Sequence, residues 1–281
     1  MKKLKRISNR DINTFKLYLI EEERSISTVE KYIRDVRFFA CFAAEKEISK
    51  QTIMEYKSYL ANNYAISSAN SMIAALNSFL RFLGWHNLCV KQFKVQREVY
   101  CQEEKELSRE EYFRLLEAAS KSKNERLNLI IQTICGTGIR VSELQYITVE
   151  ALYRGEATVN CKGKNRRVFI VPQLKKKLIL YIKKHNISSG AVFVTRTGRP
   201  VSRNNIWKEM KLLCKEACVA PSKVFPHNLR HLFARTFYGI EKDIAKLADI
   251  LGHSSINTTR IYIVTSGAEH RRKMEYMKLV I

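Results

Sequence analysis

The 281-residue sequence has no apolar run that approaches the length of a membrane span. Its basic start, Met1 to Arg10, is followed by no apolar signal core. A cytoplasmic location is therefore expected. Seven cysteines are present, yet none forms a C-x-x-C pair. Cys214 and Cys218 lie one helical turn apart, with no nearby His or Cys to complete a metal site. All seven read as reduced thiols, which excludes a disulfide scaffold and a zinc module. There is no internal repeat and no low-complexity segment. Negative charge is scarce beside positive: 27 acidic residues stand against 50 basic ones, a net +23. That excess makes a polyanion the expected partner, through phosphate contacts and counterion release. Ribosomal and membrane-surface proteins share such charge, so it indicates a class of partner and no mechanism.

Periodicity divides the chain in two. Residues 1–94 read as four amphipathic helices without strands, a small bundle. Ser27-Thr28-Val29-Glu30 reads as a capping box opening the second of them. The fourth spans about 68–83. Residues 95–106, polar and charged, read as a linker. Residues 107–281 open at a second capping box, Ser108-Arg109-Glu110-Glu111, and read as mainly helical. The exception is one strand pair, Ala157 to Cys161 and Arg166 to Val171, around the turn Lys162-Gly163-Lys164-Asn165. A short extended piece covers Ala191 to Thr195, and an amphipathic helix is expected over 268–281.

Four short motifs in the second part combine into one chemistry. Thr137-Gly138-Ile139-Arg140-Val141-Ser142-Glu143-Leu144 places Arg140 at a glycine-loosened turn. Lys162-Gly163-Lys164 is a basic hairpin tip. His227-Asn228-Leu229-Arg230-His231 puts His227 and Arg230 on one helical face. Leu251-Gly252-His253 precedes Tyr262 by nine residues. Singly, each has a structural reading: a solvated helix start, a basic tip, a helix cap, a half-buried tyrosine. Together they suit a phosphodiester. Two arginines can grip the non-bridging oxygens where charge grows in the transition state. A lysine can protonate the leaving oxygen, and a tyrosine can attack phosphorus and hold it covalently. No acidic metal-binding cluster adjoins these motifs; the arginines and lysine can stand in for a metal's charge.

The ordered set Arg140, Lys162, His227, Arg230, His253 and Tyr262 resembles the catalytic residues of the tyrosine recombinases, the phage integrase and Xer family. So do the flanks, Gly138 to Leu144, Leu251-Gly252 and Thr258-Thr259. Ser27 to Phe42 and the helix near 68–83 resemble that family's core-binding domain. The resemblance implies a mainly α fold: an N-terminal four-helix SAM-like domain and an α-rich catalytic domain with a small antiparallel sheet. It implies a site-specific recombinase in which Tyr262 forms a 3′-phosphotyrosyl bond and Arg140 and Arg230 hold the phosphate. Lys162, just before the glycine, is then the general acid, with Lys164 as its rival. His227 and His253 assist, and Glu143 supports the site. No cofactor and no metal are expected. The implied partner is double-stranded DNA, bound by a homotetramer on paired sites that is a monomer when free, with the protein on the bacterial nucleoid; accessory proteins stay open. The brevity of Met1 to Arg10 fits an enzyme that binds core sites only. Candidate DNA contacts are Arg199, Arg203, Asn204 and Asn205, and, on a polar helix side of the first domain, Asn70, Asn77 and Arg81. A type IB topoisomerase shares the chemistry, and a DNA-binding regulator with a dead site shares the fold; these are the alternatives. Asn228 departs from the family, which often has Asp there.

Overall fold

The computed structural model describes residues 5–44, 47–95, 103–161, 164–262 and 274–277. The chain divides into two compact units, Met1–Arg97 and Glu98–Ile281. Among the described residues, no helix is long and apolar enough to cross a membrane.

The first unit consists of α1 (Asn9–Glu21), α2 (Ile26–Ala43), α3 (Lys50–Asn63) and α4 (Ile66–Phe82). Helix α2 lies between two cores. Its Val29, Ile33 and Val36 pack with Phe15 of α1 and Phe79 of α4. Its Phe39 and Ala43 pack with Ile53 and Tyr56 of α3 and Leu76 of α4. The expected capping box at Ser27 is not formed. The helix starts two residues earlier, at a Ser25 cap whose carbonyl accepts the N–H groups of Thr28 and Val29 at 2.8 and 3.0 Å. Several adjacent hydroxyl residues could each have capped this end, and the sequence did not distinguish them.

Helix α4 corrects a second expectation. The Asn77 side chain is buried, donating Nδ2–H to the Val90 carbonyl at 2.8 Å and accepting the Val90 N–H at 3.0 Å. Two turns earlier, Asn70 makes the same pair with Phe93, at 3.0 and 2.7 Å. Both amides imitate a strand edge and hold the returning segment 90–93, so neither is free to read a DNA groove. Arg81 remains exposed.

The second unit is organised around α6 (Glu125–Thr137), whose Leu127, Leu129, Ile130, Ile131 and Ile134 are all buried. Its polar Glu125, Asn128 and Gln132 share one half-buried side, and the apolar remainder faces the core. Here it packs against α5 (Arg109–Lys121), α8 (Pro172–Lys184), α9 (Arg203–Leu213) and α10 (Pro226–Glu241). The capping box at Ser108 forms as expected: Ser108 Oγ accepts the Glu111 N–H at 3.1 Å, and the Glu111 carboxylate accepts the Ser108 N–H at 2.8 Å. A 3₁₀ turn (Val141–Tyr146), α7 (Val149–Arg154), β1 (Glu156–Cys161) and β2 (Lys164–Phe169) lie between α6 and α8, and α11 (Ile244–Leu251) and α12 (Ile256–Arg260) follow α10.

The antiparallel register pairs Asn160 with Asn165 and Cys161 with Lys164. The ladder therefore absorbs Lys164 and Asn165, which the sequence reading gave to the turn. Pro172 opens α8, where its fixed φ and missing N–H suit a first helical position. The segment Val141–Tyr146 is 3₁₀ rather than α: the Ile147 N–H after it reaches the Leu144 carbonyl, at 3.0 Å. Of the expected helix over 268–281, only Met274–Met277 falls among the described residues, and these are exposed.

Candidate active site

The site is assembled where two helices end. Helix α6 stops at Thr137 because Gly138 caps it at φ 65°, a left-handed conformation. A Cβ there would stand 2.5 Å from the Phe233 ring, so the position requires glycine. The chain leaves extended through Arg140 into the 3₁₀ turn. Glu143, 3% exposed, folds back on this exit: one oxygen accepts the Arg140 N–H at 3.0 Å and the other accepts its guanidinium at 2.8 Å. Burial disfavours that charge, but the Arg140 N–H, then the guanidinium groups of Arg140 and Arg166, offset it and hold the carboxyl below its ordinary value. The Arg140 side chain stays about one-third exposed, facing out of the fold.

Helix α11 ends in the same way, at Gly252 with φ 65°. Arg230 of α10 reaches both helix ends. It donates to the Gly138 carbonyl at 2.6 Å, to the Leu251 carbonyl at 2.7 Å and to His253 Nε2 at 3.0 Å. It is 1% exposed and forms no ion pair with a carboxylate among the described residues. Two helix C-termini, each carrying partial negative charge and unsatisfied carbonyls, take that role. Burial, and next the charge of Arg140, lower its pKa to about 10, so it is still a cation at neutral pH.

An arginine only donates, so His253 Nε2 accepts, and Nδ1 carries the proton it gives to Thr259 Oγ1 at 2.9 Å. Burial, and then the charges of Arg230, Arg140 and Arg166, bring His253 down to about 4. Burial, then His231, Arg230 and Arg140, bring His227 to about 4 as well, although part of its ring faces solvent. Both are neutral imidazoles at pH 7.

Tyr262, 3% exposed, lies among these rings. Its centroid is 5.7 Å from that of His227, 4.2 Å from His231 and 5.5 Å from His253. Its hydroxyl is close enough to the Arg230 guanidinium to interact with it. Thus Arg140, Glu143, His227, Arg230, His253 and Tyr262, spread over more than a hundred residues of sequence, meet in one place. Lys162 lies outside the described residues.

Two participants went unread in the sequence. Arg166 donates to Glu143 at 2.5 Å and to the Ile250 carbonyl at 2.7 Å. Its signal was available: positions 166 and 168 of β2, and 170 just beyond it, alternate inward, and the latter two are Val and Ile. His231 follows His227 by one helical turn and faces both Tyr262 and Glu106, its Nδ1 3.5 Å from the carboxylate. Asn228 is buried and donates to the carbonyls of Lys105 and Lys223 at 2.9 and 2.8 Å. An amide can donate in this way, and a carboxylate could not.

Arg199, Arg203, Asn204 and Asn205 are exposed and close together in sequence. The loop before α9 turns tightly, with Thr195 N–H to the Arg199 carbonyl at 2.8 Å, and Ser202 caps the helix through the Asn205 N–H at 3.2 Å. Among the described residues, no group of three or more His, Cys, Asp or Glu could hold a metal ion.

Residues 105–268 match the model of the phage integrase family, and residues 12–87 match that of the phage integrase N-terminal SAM-like domain. The tyrosine recombinase XerA of Thermococcus kodakarensis is 30% identical, over 97% of this chain and 96% of its own. The tyrosine recombinase XerD of Oceanobacillus iheyensis is 30% identical, over 88% of this chain and 91% of its own. The crystal structure of a XerA recombinase has a TM-score of 0.53 at 28% identity, covering 97% of this chain and 99% of that one. A lambda integrase dimer bound to a core site shares the fold, with a TM-score of 0.75 at 16% identity, over 92% of this chain and 96% of that one. With its catalytic unit matched through residues 105–268 and relatives aligned along nearly its whole length, the chain belongs to the phage integrase family, the tyrosine recombinases.

Proposed function

We propose that the protein is a site-specific DNA recombinase that cleaves and rejoins duplex DNA through a 3′-phosphotyrosyl bond to Tyr262. The observation that carries this reading is the gathering of Tyr262, His253 and Arg140 around one buried arginine, Arg230. In this mechanism the Tyr262 oxygen bonds to phosphorus as the bond to the 5′-oxygen breaks. Lys162 supplies the proton to that oxygen. Arg140 and Arg230 hold the non-bridging oxygens and counter the growing charge. Neutral His227 and His253 assist by proton transfer or by hydrogen bonds to the phosphate, and Glu143 keeps Arg140 in place. The phosphotyrosine conserves the bond energy, so a 5′-hydroxyl from a second strand reverses the step and exchanges strands.

Solved relatives include XerH bound to its difH substrate before cleavage and a lambda integrase tetramer bound to a Holliday junction. By analogy with them, this chain binds duplex DNA and assembles as a tetramer on paired sites, with the core-binding unit at 1–94 and the catalytic unit at 107–281. The segment 268–281 then docks on a neighbouring protomer, and its deletion abolishes cooperative site binding. Exposed Arg199, Arg203, Asn204, Asn205 and Arg81 are candidate DNA contacts, and residence on the nucleoid follows from DNA binding.

The deciding experiment incubates the protein with its nicked cognate site and looks for a covalent protein–DNA adduct. Wild type forms it, and Tyr262→Phe does not while still binding the site. Absence of the adduct with wild type on that site overturns the mechanism.

A further inference from the structure

We propose that Arg166 is a positioning residue for cleavage, fixing Arg140 through Glu143 and tying both to the end of the helix that leads into His253. This rests on the reading of Arg140 as a phosphate-binding arginine.

Two arginines from different elements bridge the same two segments. Arg230 links Gly138 to Leu251 through their carbonyls. Arg166 links Glu143 to Ile250, with Nη2 on the carboxylate and Nη1 on the carbonyl. The segment that carries Arg140 and the segment that carries His253 are thus fastened twice, about five residues apart on one and one residue apart on the other.

The Glu143 carboxylate explains why the second fastening acts on chemistry. Its oxygens are divided: Oε1 accepts from the Arg140 guanidinium, and Oε2 accepts from the Arg140 N–H and from Arg166. With Oε2 held from two sides, the carboxylate plane cannot rotate, and Oε1 stays on Arg140. Without Arg166 the carboxylate keeps one main-chain tie and gains freedom about its last torsion, and Arg140 shares that freedom. Arg140 is the more exposed of the two phosphate-facing arginines and has the fewest other restraints.

The placement of Arg166 is itself built into the fold. Its side chain is 11% exposed and projects from the inward face of β2, which otherwise carries Val168. Its stem passes so close to Gly252 that a Cβ there would lie 2.4 Å from Arg166 Cδ. Glycine at 252 leaves room for it beside the His253 backbone. A guanidinium is needed because its two Nη groups reach two acceptors in fixed directions, which a lysine ammonium on one flexible stem does not reproduce.

The test compares cleavage of two nicked sites, one with an ordinary scissile phosphate and one with a methylphosphonate there, which lacks the charge that Arg140 counters. Adduct formation is measured in a single turnover at saturating DNA for wild type, Arg140→Ala, Arg166→Lys and Arg166→Met. On the phosphodiester the Arg166 variants slow by about 10- to 100-fold, as expected for a residue that orients another. On the neutral phosphonate their deficit relative to wild type shrinks to within a few-fold, in step with that of Arg140→Ala. Adding Arg166→Met to Glu143→Gln costs little further, because the link is already cut. Equal deficits on both substrates, or none on the phosphodiester, overturn the proposal. If Arg166→Met melts far below wild type, Arg166→Lys, which keeps the stem and a charge, supplies the comparison. Failure of wild type to form an adduct on either site would instead sink the recombinase mechanism.

Discussion

The stem of Arg166 occupies the space that a side chain at Gly252 would need, 2.4 Å from Cδ to an ideal Cβ. Gly252 also sits at φ 65°, where a side chain is strained. Gly252→Ala therefore meets two costs, a left-handed alanine and a displaced arginine, together about 2–4 kcal/mol. Urea unfolding of the variant should show that loss. Adduct formation should slow as well, since the displaced side chain is the one that holds Glu143.

Arg230→Lys should lower adduct formation by roughly 10²- to 10³-fold, because one ammonium cannot serve two helix-end carbonyls, His253 and a phosphate at once. Site affinity measured on DNA that cannot be cleaved should fall far less. A loss of affinity matching the loss of rate would place the contribution of Arg230 in binding.

Acid should destabilise the protein through the site's histidines. His227 and His253 titrate at about 4 when folded and at the ordinary 6.5 when unfolded. Between those values the unfolded chain holds protons that the folded chain does not, so stability falls as pH drops from 6.5 toward 4. Above 6.5 these two groups contribute no slope. Glu143, held low, adds in the same direction only below the ordinary carboxylate value of 4.5. Melting temperatures at pH 7, 6, 5 and 4 should decline, and His253→Gln should flatten the decline. A wild-type profile without slope across that interval would contradict the neutral imidazoles.

Asn77→Ala should destabilise the first unit by about 1–3 kcal/mol, since it strands the buried N–H and carbonyl of Val90. The preference among DNA sequences should stay as it was. Denaturant unfolding paired with a competition binding assay separates the two effects.

The candidate set was legible because the chemistry proposed for it depends on residue type in a fixed order: an arginine after a helix-ending glycine, a His-x-x-Arg pair, a His after a second helix-ending glycine, and a tyrosine. What the sequence concealed depends on contacts between distant segments. Asn70 and Asn77 do share one side of α4, as their spacing required, but only folding brings residues 90–93 back across that side. Arg166 read as one more basic residue near a hairpin tip. Its inward direction follows from register, which the expected four-residue turn had left undefined. Ser25 and Ser27 differ too little in local chemistry for the sequence to choose between them as a cap.

The two arginines proposed to hold the phosphate, Arg140 and Arg230, differ in how their settings are built. Arg140 is steadied by a side chain, Glu143, so one codon change at a second position disarms it. Arg230 is steadied by the main-chain carbonyls of Gly138 and Leu251, which every amino acid possesses. No replacement at either position deletes an acceptor; only a change in the helix endings themselves would. The buried arginine's setting thus comes with the backbone, while the more exposed one depends on the side chain of a single partner.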